Sequence, residues 1–251
     1  MEKREYLTLY RLEDEHWWFI ALRGFIRALG RDIFKSKDLT ILDAGCGTGA
    51  FARELGRGNR VVALDYSPDA LEFCAKRNLV DLIRASINEI PVRGESMDAV
   101  FSISVLEMEG VDQARSIGEF HRVLKTGGTL VLMVPAHRWL ASEHDAAVHS
   151  VQRMTKSRLK EFLLAAGFEI ERLTYGFMFL FPVIAGIRML KSLAGGSKSR
   201  AESKSDLRPA NGIVNWLLAG LCEIEALALA GLNLPMGVDL FVRARKTRTV
   251  G

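Results

Sequence analysis

Five positions in one stretch of the chain could hold a nucleoside that carries a positive charge. Gly45, Gly47 and Gly49 stand at G-x-G-x-G spacing, Asp43 lies two residues before the first glycine, and Asp65 follows sixteen residues after the last. Glycine lets a backbone pass close to a ligand and turn tightly. A carboxylate at Asp65 can accept from both hydroxyls of a ribose. The spacing then separates two kinds of nucleoside. A dinucleotide fingerprint reads G-x-G-x-x-G and cradles a pyrophosphate. Asp43 would repel a pyrophosphate but attract an ammonium or a sulfonium. The pattern therefore points to S-adenosylmethionine (SAM). NAD, and with it an oxidoreductase, is the alternative, and a plain turn of small residues is the bland reading. Cys46, inside the motif, reads as a small buried residue rather than a nucleophile.

Transfer of a methyl group from a sulfonium needs alignment and dry surroundings, and a base only if the acceptor must lose a proton. His137, His144 and His149 lie within thirteen residues of one another. His144 with Asp145 is the candidate base, because a nearby aspartate can orient an imidazole and raise its basicity. His137 and His149 are candidates for substrate contact. Trp17 and Trp18 either wall the acceptor site, since aromatic faces attract cations, or pack a helix on the sheet. Cys46, Cys74 and Cys222 are odd in number and form no CxxC. A disulfide framework, a zinc site or any other metal is not expected, and a reducing cytoplasm fits.

These residues need a scaffold that brings Asp43 and Asp65 to one edge. Thr40–Ala44 and Arg60–Asp65 read as buried strands, and Ser67-Pro68 starts a helix. Further strands are expected at 79–85, 98–104, 129–134, 168–173 and 238–243, with helices at 5–31, 111–124 and 155–166. Alternating strands and helices predict an α/β, doubly wound, Rossmann-like, mostly parallel seven-stranded sheet with an antiparallel last strand. The expected organisation is one domain: a helical cap (1–36), a nucleoside-binding core (37–175), a helical insert (176–236) with a polar, mobile linker (195–211), and the last strand (237–246).

From Thr40 to Val134 the sequence resembles the class I SAM-dependent methyltransferases. LDAGCGTG is similar to the family's first motif and ALDYSPDAL to its second. The resemblance implies cofactor contacts at Asp43, Gly45, Cys46, Gly47, Gly49, Asp65, Tyr66, Ser86, Ile87 and Ser102. Ser86 stands where the family often has Asp, Met108 where it often has His, and Thr126 where it usually has Pro. The flanks resemble a bacterial methyltransferase type 11/12-like subgroup, through Glu15-His16-Trp17-Trp18-Phe19, Arg23, Pro135-Ala136, Trp139-Leu140 and His144-Asp145. His149 and Arg153 are similar to part of a G-H-x-R-R-Y element whose other positions differ here, which implies a substrate role for Arg153. The resemblance implies methyl transfer from SAM and no single acceptor; a small-molecule or lipid-linked acceptor, methylated at oxygen, is expected. A non-catalytic SAM-binding partner protein is the second alternative.

Composition narrows the partners. The chain has 251 residues, 34 basic and 30 acidic, a net charge of +4. That excess is too small for nucleic acid to be the leading partner. The start, MEKREYLTLY, lacks the apolar core of a secretory signal. No run of about 18 uncharged apolar residues reads as a plain transmembrane helix. The segment from Arg188 to Arg208 alone holds six basic and two acidic residues between two apolar stretches. The insert is expected to be a lid on the cleft, with contact to the inner face of an anionic membrane as its alternative.

Overall fold

The computed structural model describes residues 3–140, 152–193, 211–229 and 231–247. Its strands are β1 (Thr40–Ala44), β2 (Arg60–Asp65), β3 (Asp81–Arg84), β4 (Met97–Ile103), β5 (Leu124–Pro135), β6 (Phe168–Gly176) and β7 (Asp239–Lys246). They form one sheet in the order β3-β2-β1-β4-β5-β7-β6. β1 pairs in parallel with β2 and β4, and β4 with β5. β7 runs antiparallel between β5 and β6. The strand order reverses between β1 and β4, so the crevice where such sheets bind ligands opens at the carboxyl end of β1.

The helices are α1 (Lys3–Leu12), α2 (Trp17–Leu29), α3 (Arg31–Lys35), α4 (Ala50–Leu55), α5 (Pro68–Lys76), α6 (Gln113–Val123), α7 (Lys156–Ala165), α8 (Phe181–Leu193) and α9 (Gly212–Leu229). One sheet face is covered by α6 and α7, through Ile117, Phe120, Leu159 and Leu163. The other is covered by α2 and α9. Leu22, Phe25, Ile26 and Leu29 recur at helical spacing on α2 and are all buried. Each such side chain contributes about 1.5 to 3 kcal/mol of burial.

The helix expected over 5–31 is three helices. His16 caps α2 by accepting from the Trp18 N–H, and Gly30 ends it. The apolar spacing continues across both breaks, which is why it reads as one element. β5 also starts earlier than expected, at Leu124, which pairs with Met97 ahead of a bulge. α9 is 18 residues long with a mean hydropathy of 1.5, enough by length and composition to cross a membrane. Cys222, Glu225, Ala226 and Leu229 are its buried positions. The buried Glu225 carboxylate accepts from the Met178 and Phe179 N–H groups and so ties the approach to α8 onto α9.

Candidate functional site

β1 delivers Asp43 to the end of the sheet, and the chain then turns through the glycines before α4 begins. Gly45, Gly47 and Gly49 have φ of 90°, 54° and 83°, the left-handed region that side chains disfavour. A Cβ at Gly45 would lie 2.2 Å from the Val105 side chain. The Leu64 carbonyl accepts from both the Gly45 and Cys46 N–H groups, at 2.7 and 2.9 Å, so the loop is registered on β2. The Cys46 and Cys74 sulfurs are 3.6 Å apart beneath it, both thiols free and buried.

Two carboxylates face this loop. Asp65 closes β2. One of its oxygens accepts from the Gly47 N–H at 3.0 Å, the other from the Ser67 N–H at 2.9 Å. Each keeps lone-pair capacity for a further donor, as ribose hydroxyls would require. Burial raises its pKa above the usual range. Asp43 is 2% exposed, and its Oδ2 has no hydrogen-bond partner. Burial, with Asp65 and Glu13 nearby, pushes it up to about 8. A sealed carboxyl lacking a partner is costly unless a ligand completes it. A cation is the ligand chemistry that would. The glycine cradle, the acceptor capacity of Asp65 and the orphaned oxygen of Asp43 together fit SAM and oppose a pyrophosphate.

Residues that no sequence motif marked hold the loop from above. The fully buried Thr48 hydroxyl donates to the Glu13 carboxylate. Arg77, at the end of α5, donates to the Thr48 carbonyl at 2.9 Å, to Glu13 at 2.7 Å and to Asp14 at 2.8 Å. Its guanidinium also lies 4.4 Å from the Tyr10 ring centre. The end of α1 is thereby clamped over the cofactor loop. Tyr6, on the same helix, is buried and held at a pKa of about 12 by burial and by Asp65.

The remaining sequence candidates are placed as follows. Tyr66 is exposed, and Ile87 is buried in the core. The Ser86 hydroxyl accepts from the Asn88 N–H at 3.1 Å. Ser102 on β4 is buried, with its Oγ lacking a partner. Trp18 stacks on Phe177, ring centres 4.1 Å apart, with Trp17 edge-on to it. The two tryptophans pack between α2 and the insert. His137 has φ of 57° and stacks on Tyr175 at 5.3 Å, with Trp139 and Phe181 alongside. Its Nε2 is buried without a partner, and burial lowers its pKa. Arg153 donates to the Ala136 carbonyl at 2.9 Å, which fixes the backbone next to His137. His144, Asp145 and His149 lie outside the described residues. So does most of the linker expected at 195–211. No group of three or more His, Cys, Asp or Glu is arranged to hold a metal among the described residues. A hollow of about 560 Å³ lined by Asp32, Arg172 and Arg243 lies away from the glycine loop. Its Asp32 pairs with Arg243, and its Arg172 donates to the Leu229 carbonyl.

A model of the methyltransferase domain matches residues 42–132, the span from Asp43 to the body of β5. Residues 42–132 carry a methyltransferase domain, and the chain is similar to SAM-dependent methyltransferases. A protein of Mycolicibacterium smegmatis named as a probable S-adenosylmethionine-dependent methyltransferase is 30% identical over 173 residues, 65% of this chain and 64% of that protein. The malonyl-[acyl-carrier protein] O-methyltransferase of Serratia marcescens is 34% identical over 108 residues, 42% of each chain. A solved S-adenosylmethionine-dependent methyltransferase from Mesorhizobium loti shares the fold with a TM-score of 0.57 at 19% identity, over 93% of this chain and 99% of that one. The chain spans 64% and 59% of the first curated relatives it matches. The cofactor of the methyltransferase domain is SAM, and Asp43, the glycine loop and Asp65 are residues whose geometry could hold it.

Proposed function

We propose that this protein transfers the methyl group of SAM to an oxygen of a small-molecule or lipid-linked acceptor. The observation that carries the reading is the buried Asp43 carboxyl, with its Oδ2 lacking a partner, at the head of a glycine cradle, with Asp65 one strand away. SAM supplies an electrophilic methyl on a sulfur that leaves as a neutral thioether. The chain's own part is to bind, orient and exclude water. Asp43 answers the positive charge, Asp65 takes the ribose hydroxyls, and α1 covers the loop.

Methylation at oxygen is supported by the similarity to the Serratia O-methyltransferase and by the chemistry beside β5. The His137 ring hydrogen-bonds the Gly237 backbone through one nitrogen, which leaves Nε2 as a buried lone pair among Tyr175, Trp139 and Phe181. A neutral imidazole in that state can take a proton from an acceptor hydroxyl. His144 with Asp145 is the alternative base. The test is incubation of the purified protein with methyl-labelled SAM and host extract, followed by fractionation of the label. Label in a base-labile ester or an ether is the expected result. Label on nitrogen or carbon refutes the oxygen assignment. SAM binding with no labelled product refutes the enzyme reading in favour of a non-catalytic binding partner.

A further inference from the structure

We propose that the outward face of α9 docks on an anionic lipid bilayer beside the mouth of the cofactor cleft. α9 is apolar almost all round, yet only 22% of it is buried. A helix hydrophobic on every side belongs in a core or against lipid. The side bearing Cys222, Ala226 and Leu229 is buried. The opposite side presents Ile213, Trp216, Leu217, Ile224 and Leu227 to solvent, with Trp216 74% exposed. Glu223 is exposed at the border of that face, where a carboxylate can stay in water. α8 adds Val183, Ile187 and Leu190, three exposed apolar residues at helical spacing. Isolated apolar residues on a surface need no explanation, but a face of this extent does.

The location follows from the sheet. Trp18 stacks on Phe177, which follows the carboxyl end of β6, so α2 starts at the same edge as the glycine loop. The Asn215 side chain accepts from the Trp17 N–H at 2.7 Å and donates to the Glu15 carbonyl at 2.9 Å, so α9 starts there as well. Phe181, at the head of α8, lies 5.4 Å from the His137 ring. Ile213, Trp216 and Leu217 therefore flank the cleft rather than the far edge.

Charge selects the occupant. The sequence from Arg188, within α8, to Arg208, ahead of α9, has a net charge of +4. A second copy docked through the same face by two-fold symmetry would bring two such segments together, against their repulsion. An anionic headgroup layer attracts them, while Trp216 and its apolar neighbours enter the acyl boundary. The cleft mouth then faces the bilayer, which is the approach a lipid-linked acceptor needs. That last consequence rests on the function proposed above, whereas the docking does not.

The test is flotation of the full chain with vesicles of phosphatidylcholine alone or mixed with phosphatidylglycerol. Binding to the mixed vesicles only, weakened by high salt, is expected. Ile213→Asp with Leu217→Asp, both at exposed positions, should reduce binding about tenfold or more while SAM affinity in calorimetry is unchanged. Lys198→Glu with Lys204→Glu should weaken it comparably, through charge alone. No flotation with either vesicle overturns the proposal. So does a stable dimer in light scattering that the Ile213 and Leu217 variant dissolves. Equal binding to both compositions overturns the anionic preference. A chain that binds SAM but does not float refutes docking alone, and one that floats but does not bind SAM refutes the methyltransferase reading alone.

Discussion

Asp43 should make SAM binding depend on pH. Its pKa of about 8 leaves it protonated at about pH 6 in the cofactor-free protein. A cation facing it favours the carboxylate, so binding at low pH must expel a proton. Affinity therefore rises with pH up to about 8 and then levels off. From about pH 6 the gap is two pH units at about 1.36 kcal/mol each, or about 2.7 kcal/mol. That is about a hundredfold in Kd. Calorimetry in two buffers of different ionisation enthalpy should find close to one proton released at about pH 6 and almost none above about pH 9. Asp43→Asn should flatten the profile at a weak value. The stability sign is the reverse. The folded pKa lies above the unfolded value near 4, so the unfolded chain gives up this proton first. The cofactor-free fold is therefore stabilised by this group at low pH and loses that stability as pH climbs to about 8. A wild-type Kd constant from about pH 6 to pH 9, with no proton release, would refute the placement of a cation against Asp43.

Asp65→Ala should weaken SAM binding by about 1 to 3 kcal/mol in calorimetry, since ribose hydroxyls lose charged acceptors; an unchanged Kd removes Asp65 from the site. Gly45→Ala combines a left-handed φ with a Cβ overlapping Val105, and should cost about 2 to 5 kcal/mol in urea unfolding. A wild-type midpoint would show that the loop is placed wrongly. Arg77→Met leaves Glu13 buried without its cation and should cost about 3 to 5 kcal/mol. Adding Glu13→Gln should recover part of that loss, and strict additivity of the two changes would argue against the clamp. His137→Ala should lower turnover on the labelled acceptor without changing SAM affinity, and full turnover would exclude it as the base.

The parts of the site legible in the sequence are those whose chemistry is local. Asp43, the three glycines and Asp65 sit on two adjacent strand ends, and short apolar runs mark those ends. The clamp on Thr48 was not legible. Glu13 and Arg77 are 64 residues apart, and nothing in their spacing says that they meet. The orientation of Trp18 depends on Phe177, far along the chain, so its helix alone left the cofactor wall and the core equally open. The outward face of α9 was hidden for the opposite reason. Its composition is uniformly apolar, so only contacts reveal which side is covered.

The layer that covers the second sheet face is assembled from distant parts of the chain. The bond from Trp17 to Asn215 spans 198 residues, and the bond from Arg243 to the Leu29 carbonyl spans 214. During synthesis α2 emerges well before its partners α9 and β7. Until then Leu22, Phe25 and Ile26 can meet the β1, β4 and β5 part of their core but lack the part that α9 and β7 supply. Contacts of such sequence separation are slow to close and leave apolar surface open to aggregation meanwhile. The sheet edge is complete only once β7 is paired with both β5 and β6.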